Sequence, residues 1–474
     1  MTAVRGARYP LIAPFEPPSL AEHPAPSAVI DRRYNFPMHS FRYRKGTLHC
    51  ENIDLSAVAA EYGTPLYVYS AETILDHYRR LTEALEPLDH LICYAVKANS
   101  NLAVLNLLVR ERSGFDIVSA GELFRVTRAG GKPECCTFAG VGKSRAEIEF
   151  ALRQGVLSFN VESEAELELI NAVAGELHRR APIALRVNPD IAGGGHKYIS
   201  TGKSENKFGI GIDRAPAVYA AAARLPHVRI RGVQMHIGSQ ITEAATFVQA
   251  VKKVAPLAAE LKRDHGIEFF SIGGGLGIVY RSSLESGQQT WWQQEPGASA
   301  SLTVEDYAEA VIPTLAPLGL RILLEPGRFM VGNAGVLLTR VQYLKTTASG
   351  KKFVIVDAGM NDLIRPALYQ GYHEVVPVRE PAAADPRETA DVVGPVCESG
   401  DFFAQERELP PLRQGDLAAL MSAGAYGFAM ASNYNSRPLP AEVLISGGKA
   451  HLVRERQTLN DLVRGEQLVE ESSK

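Results

Sequence analysis

Four short segments hold the residues best suited to chemistry: Lys97 in CYAVKAN, His236 in MHIGSQ, the run Gly273, Gly274 and Gly275 in SIGGGLG, and Glu325, Gly327 and Arg328 in LEPGR. A lysine that ends an apolar run is a costly place for a charge unless its amine is neutralised or used covalently. Consecutive glycines let a ligand reach backbone N–H groups. Each feature alone also has a plain structural reading. The Lys97 stem can lie along a rim, and His236 can be a hydrogen-bonded core histidine. The triple glycine can be a tight turn, and EPGR a capped turn with a surface ion pair.

The elements that must position these residues separate the two readings. From residue 91 short apolar runs alternate with helical spacing. The predicted strands are 91–98, 115–120, 135–140, 157–163, 182–189, 230–238, 269–275 and 321–326. Amphipathic stretches such as SRAEIEFALRQG, SEAELELINAVAGELHRR and ATFVQAVKKVAPLAAELKRDHG lie between them. Eight strand–helix units over about 250 residues match a closed (β/α)8 barrel, with a doubly wound open sheet as the competing arrangement. In a barrel the reactive groups project from the C-terminal strand ends. Lys97 falls at the end of the first predicted strand, His236 of the sixth, Gly273–Gly275 of the seventh, and Glu325, Gly327 and Arg328 of the eighth. Neighbouring strand ends thus collect what a phosphorylated ring cofactor needs: N–H groups for phosphate, an aromatic platform and a charged partner for a ring nitrogen.

Beyond residue 335 strands and turns follow without helices, so residues 336–474 are expected to form a mostly antiparallel β domain after a barrel of residues 71–335. Residues 41–70 also read as strand and are assigned to that second domain. Residues 1–40, rich in Pro and Ala, are expected to be an extension of little fixed structure. The polar stretch 282–301 reads as a loop, either a lid or a tolerated insertion.

Composition narrows the partners. With 474 residues, 46% of them apolar, the chain can bury a large core. A net charge of -3 with dispersed Lys and Arg offers no footprint for nucleic acid. No apolar run suits a membrane span and no secretory signal is evident, so a cytoplasmic protein with a small-molecule partner is expected. The five cysteines are odd in number and lack zinc-type spacing, which argues against a disulfide framework and a structural metal.

The motifs YAVKAN, FDIVSAGEL, KYISTG with NKFGI, HIGSQ, GGGLG, LEPGR, RPALY, CESGD and YNSRPLPAEVL occur in order between about residues 45 and 460. In them the chain resembles the barrel-type (fold-type III) pyridoxal-phosphate decarboxylases, and within that group the diaminopimelate decarboxylases. The resemblance implies that Lys97 carries pyridoxal phosphate as a Schiff base while His236 stacks on the ring. Ser239 and Gly273, Gly274 and Gly275, helped by Gly327 and Arg328, would hold the phosphate, and Glu325 would pair with the pyridine nitrogen. Cys397 of CESGD looks like the acid that reprotonates the substrate carbon, which makes Lys97, His236 and Cys397 the catalytic set. Arg328, Arg365, Tyr369, Glu398 and Tyr426 look like substrate contacts, with Tyr426 shared with the cofactor. A homodimer with shared active sites is also implied, because in this family the CESGD segment serves the partner's site.

Without that motif context, Cys397 could be a buried packing thiol, and Arg365 with Tyr369 an interaction along one helical face. The implied reaction is decarboxylation of meso-2,6-diaminopimelate to L-lysine and carbon dioxide, the last step of lysine biosynthesis. Its rivals are an ornithine, arginine or carboxynorspermidine decarboxylase on the same scaffold, an alanine-racemase-like enzyme, and a non-catalytic cofactor-binding protein. RPALY and CESGD favour diaminopimelate over the first, Glu325 weighs against the second, and Cys397, Glu398 and Arg365 against the third.

Overall fold

The computed structural model describes residues 37–191, 207–288 and 302–469. The expectations for nearly all of residues 1–40, for KYISTG and for most of 282–301 lie outside the described residues. The chain divides into two compact units. One holds Ala71–Val279 and Gln288–Asn333; the other holds His39–Ser70, Tyr280–Gly287 and the chain from Ala334 onward.

The first unit is a closed parallel barrel of eight strands: β1 His90–Ala95, β2 Gly114–Ile117, β3 Cys136–Phe138, β4 Ser158–Val161, β5 Ala181–Asn188, β6 Val228–Met235, β7 Phe269–Ser271 and β8 Arg321–Leu324. Each pairs in parallel with the next, and β8 pairs with β1 to close the ring. The open-sheet alternative is thereby excluded. Helices alternate with the strands, among them Ala120–Arg128, Arg145–Gln154, Glu164–Glu176 and Ala244–His265. Their starts are written locally: Ser119, Ser144 and Ser163 each accept the backbone N–H three residues on, with a full capping box at Ser144 and Glu147.

The predicted strands overrun the observed ones at their C-terminal ends. β1 stops at Ala95 and Lys97 sits in the one-turn helix Val96–Ala98; β2 stops at Ile117; β7 stops at Ser271. The cause is that the tails leave the ladder to cap helices or to approach another backbone.

Side chains two apart on a strand share a face, and this period layers the barrel interior. Cys93, Ala184, Phe269 and Leu323 form a buried apolar cluster. One step further along each strand the same face carries Arg186, Ser271 and Glu325, and Asp116, Asn160 and Gln234 lie buried with them. A methyl group on Gly232 would fall 2.4 Å from the Phe269 ring, so glycine there makes room for the large residue of the apolar layer.

The second unit is a mostly antiparallel sheet with strand order 402–409, 388–393, 352–356, 335–346, 66–70, 441–446, 449–454. Leu66–Ser70 is central: it runs antiparallel to Gly335–Thr346 and parallel to Ala441–Ser446. Leu66, Val68, Val336, Leu338, Val443 and Ile445 point to one side and pack in a single core. No helix among the described residues is long and apolar enough to cross a membrane, and no group of His, Cys, Asp and Glu among them could hold a metal ion.

One buried ion pair fixes the wall beside β4. Lys143 Nζ donates to Glu166 Oε1 at 2.6 Å and to the carbonyls of Gly140 and Asn160 at 2.8 Å each, while Glu166 Oε2 accepts from the Glu162 N–H. Removing one partner of such a pair strands a buried charge. Lys143→Met is expected to lower the unfolding free energy by about 3–5 kcal/mol, and adding Glu166→Leu to restore a large part of it, as read by urea denaturation.

Candidate active site

The barrel strand ends assemble most of the predicted residues. Lys97 Nζ donates to Asp116 Oδ2 at 2.7 Å, with Asp116 fully buried and the lysine side chain 39% exposed. The amine is thus held by a carboxylate at the end of a side chain that is partly exposed. Directly after β6, the Nδ1 atom of His236 accepts the Gly274 N–H at 3.2 Å, which leaves any proton of the neutral ring on Nε2. Burial, then the nearby Arg186 and Lys97 cations, hold the imidazole well below its usual pKa, so it is a neutral platform.

The glycines at the end of β7 are required by close backbone approach. Gly273 has a φ of +73°, and a methyl on it would lie 2.3 Å from the Met235 carbonyl; on Gly274 a methyl would lie 2.2 Å from the Glu325 carbonyl. Arg328 opens the short helix Arg328–Val331 after Gly327, and its Nη2 donates to Ser239 Oγ at 3.0 Å. Ser239 and Arg328 are therefore neighbours, as an anion site built from both requires.

Glu325 is the most constrained member. Ser271 Oγ and Asn160 Nδ2 donate to its Oε1 at 2.7 and 3.3 Å, and Gln234 Nε2 donates to Oε2 at 2.9 Å. All three donors are neutral. Burial above all, then the charge of Asp116, pushes the carboxyl up from 4.5 to about 7, against the pull of Ser271, Lys97 and Gln234. Asp116 Oδ1, Asn160 Oδ1 and Gln234 Oε1 lie buried in this layer with no hydrogen-bond partner. These acceptors, unused by the protein itself, sit beside a partly exposed lysine and a glycine cradle, a set that fits a polar ring cofactor at this barrel end.

In the second unit Arg365 and Tyr369 are the first and last residues of the helix Arg365–Tyr369. Arg365 is buried; its Nη1 donates to His373 Nε2 at 2.7 Å, and its guanidinium lies 4.7 Å from the Tyr280 ring centre. Cys397 and Glu398 are exposed in the loop between Glu388–Val393 and Phe402–Leu409. Asp401 shapes that loop, accepting the N–H groups of Met360 and Val396 at 2.6 Å each, while Asn435 Oδ1 accepts the Cys397 N–H at 2.9 Å. Gly400 brings the loop against the Arg365–Tyr369 helix, since a methyl there would lie 4.0 Å from Ala367 Cβ. Tyr426 has a φ of +56°, rare for a tyrosine.

Several residues escaped the sequence reading. Asp116 and Asp401 lie inside quoted motifs without having been singled out, and Asn160, Gln234 and Ser271 carry a signal only once the strand period is followed inward from Glu325 and His236. The packing-thiol reading of Cys397 is set aside by its exposure; Cys50, Cys93 and Cys136 are the buried thiols.

A barrel end with this lysine, neutral imidazole, glycine cradle and buried carboxyl defines a pyridoxal-phosphate enzyme, and residues 71–332 match the family model for the pyridoxal-dependent decarboxylase, pyridoxal binding domain. The diaminopimelate decarboxylase of Pseudomonas aeruginosa is 51% identical over 433 residues, 91% of this chain and 100% of that protein. Among solved structures, the diaminopimelate decarboxylase of Helicobacter pylori, complexed with L-lysine, matches at 40% identity with a TM-score of 0.79, covering 86% of this chain and 98% of that one. That of M. jannaschii matches at 36% identity with a TM-score of 0.82, covering 91% and 98%. The chain belongs to the diaminopimelate decarboxylase family.

The raised Glu325 pKa has a signed consequence. Between 4.5 and about 7 the folded chain keeps a proton that the unfolded chain has lost, so this group's contribution to stability falls as pH rises through that window. In cofactor-free protein, urea denaturation is expected to show wild type losing on the order of 2 kcal/mol more than Glu325→Gln across it. Equal slopes would remove the proton from Glu325.

Proposed function

We propose that this chain decarboxylates meso-2,6-diaminopimelate to L-lysine and carbon dioxide with pyridoxal phosphate, as the last step of lysine biosynthesis in the cytoplasm. The observation that carries the reading is the exposed Cys397–Glu398 pair on a loop shaped by Asp401, set against the short helix that starts at the buried Arg365, in a chain about half identical to named diaminopimelate decarboxylases. Lys97 holds the cofactor covalently and His236 lies against its ring. Ser239, Gly273, Gly274, Gly275, Gly327 and Arg328 take its phosphate, and Glu325 holds the ring nitrogen.

Bound there, the cofactor accepts the electron pair left when the carboxylate departs. Glu325 serves that chemistry because a carboxyl already raised to about 7 shares a proton with a ring nitrogen at little cost. Cys397 Sγ gives its proton to the carbon that has lost carbon dioxide. Arg328 and Arg365 grip substrate carboxylate, Glu398 the distal ammonium, and Tyr369 and Tyr426 complete the contacts. The working form is a homodimer in which the Cys397 loop serves the partner's site.

Purified protein loaded with pyridoxal phosphate is expected to release carbon dioxide from meso-diaminopimelate and to disfavour lysine, ornithine and arginine by about 10⁴ in kcat/KM. Comparable turnover of ornithine would overturn the substrate assignment. Lys97→Ala is expected to abolish the visible absorbance of bound cofactor, whereas Cys397→Ala retains it and loses turnover. Mixing these two inactive variants restores up to about a quarter of the activity if sites are shared. No recovery after demonstrated subunit exchange rules out the shared site.

A further inference from the structure

The hydrogen bonds around His373 leave its ring only one neutral form. Nδ1 lies 2.8 Å from the carbonyl oxygen of Met421, which can only accept, so Nδ1 carries the proton. Nε2 lies 2.7 Å from Nη1 of Arg365, which can only donate, so Nε2 is the acceptor. The ring is fully buried, and Tyr280 packs edge-on against it at 5.5 Å while also lying 4.7 Å from the Arg365 guanidinium. Arg365, His373 and Tyr280 form one cluster in which the imidazole Nε2 lone pair accepts from the guanidinium.

We propose that His373 is the positioning residue for Arg365, orienting its guanidinium toward substrate carboxylate, and that protonation of the imidazole releases that grip. The inference rests on the carboxylate role given to Arg365 above. A protonated ring would set an N–H against the Arg365 Nη1–H, replacing a charge-assisted hydrogen bond with repulsion between two cations. Among the described residues, several groups surround His373. Arg365 comes from the Arg365–Tyr369 helix, and Tyr280 from the Tyr280–Gly287 segment. Arg407 reaches the His373 carbonyl at 3.1 Å from strand Phe402–Leu409. Tyr372 and Glu374 flank the ring in sequence; Arg281 and Arg407 cover Tyr372 at 4.4 and 3.9 Å, and Glu374 accepts the Leu284 N–H. Arg407, bonded to the His373 carbonyl, adds to the cost of a cation there.

Two amide substitutions separate the bonds. His373→Asn places an N–H near the Nδ1 position and keeps the Met421 bond while losing the acceptor for Arg365. His373→Gln places its carbonyl oxygen near the Nε2 position, keeps that acceptor and does not titrate. With the loaded full-length enzyme, His373→Asn is expected to raise KM for meso-diaminopimelate about tenfold or more, with kcat within about threefold and the absorbance of bound cofactor unchanged. Wild type is expected to show a rise in KM on the acid side, and His373→Gln to lack that rise while staying within about threefold of wild type at pH 8.

An unchanged KM in His373→Asn, a Gln variant as impaired as the Asn variant, or an acid-side rise that persists in the Gln variant would each overturn the proposal. If the Asn variant does not fold, the pH profile of the Gln variant decides. Arg365→Gln separates the two levels of inference. If it leaves KM unaltered, the carboxylate role of Arg365 fails and the His373 role with it. If it raises KM while His373→Asn does not, only the His373 role fails.

Discussion

Placing a carboxyl group inside a closed barrel governs the rest of the first unit. Glu325 at the end of β8 is 6% exposed, and an ion moved that far from water costs several kcal/mol unless it is paired or kept neutral. An arginine or lysine bonded to it would settle the charge and also consume its capacity to exchange a proton. Three neutral donors, Ser271, Asn160 and Gln234, satisfy its oxygens without doing so. Burial then outweighs them and leaves the group titrating near 7. The surroundings follow from that choice. The apolar layer of Cys93, Ala184, Phe269 and Leu323 keeps water from one side of the carboxyl, and Gly274 must lack a side chain because the Glu325 carbonyl lies where its methyl would be.

Lys97 and His236 meet the same constraint in two other ways, one as a paired cation and the other as a neutral ring. Asp116 holds the lysine amine, so its cation has a partner even before any covalent use. The imidazole, with Arg186 and Lys97 nearby, stays neutral and gives its Nδ1 lone pair to the Gly274 N–H. That bond links the platform to the same glycine run whose geometry Glu325 fixes. Carboxyl, platform and glycine loop thus share one set of distances, and a change in any of them is felt by the other two.

How much of this was legible in the sequence follows from the range of each interaction. The eight barrel strands could be read because β-branched and aromatic runs carry a local signal; the helix starts at Ser119, Ser144 and Ser163 are local too, each cap reaching only three residues on. Lys97, His236, Glu325 and Arg328 could be placed at strand ends by counting. Phe402–Leu409 could not: it is an edge strand whose sequence, FFAQEREL, is as charged as a loop, and the pairing that makes it a strand is with Glu388–Val393. His373 and Asp401 were silent for a related reason. Their function lies in which backbone atoms reach them, Met421 O in one case and the N–H groups of Met360 and Val396 in the other, and no spacing rule encodes that.

On the proposed roles, the two units would serve different parts of a decarboxylation. In those roles the barrel residues would serve any reaction that needs a protonated ring and a covalent amine, and nothing in the Glu325 or Lys97 contacts distinguishes one amino acid from another. Discrimination requires charged groups whose burial makes an unmatched substrate costly. Arg365 meets that requirement in the second unit, being buried and oriented, and Glu398 adds the opposite charge on a loop that Asp401 holds in shape. A side chain at the end of a flexible stem gives up orientational freedom on binding, whereas one already aligned by His373 and Tyr280 has lost it on folding. On the proposed carboxylate role, preorganisation of Arg365 would be a source of selectivity, because a substrate lacking the matching carboxylate would leave an aligned, desolvated cation unanswered.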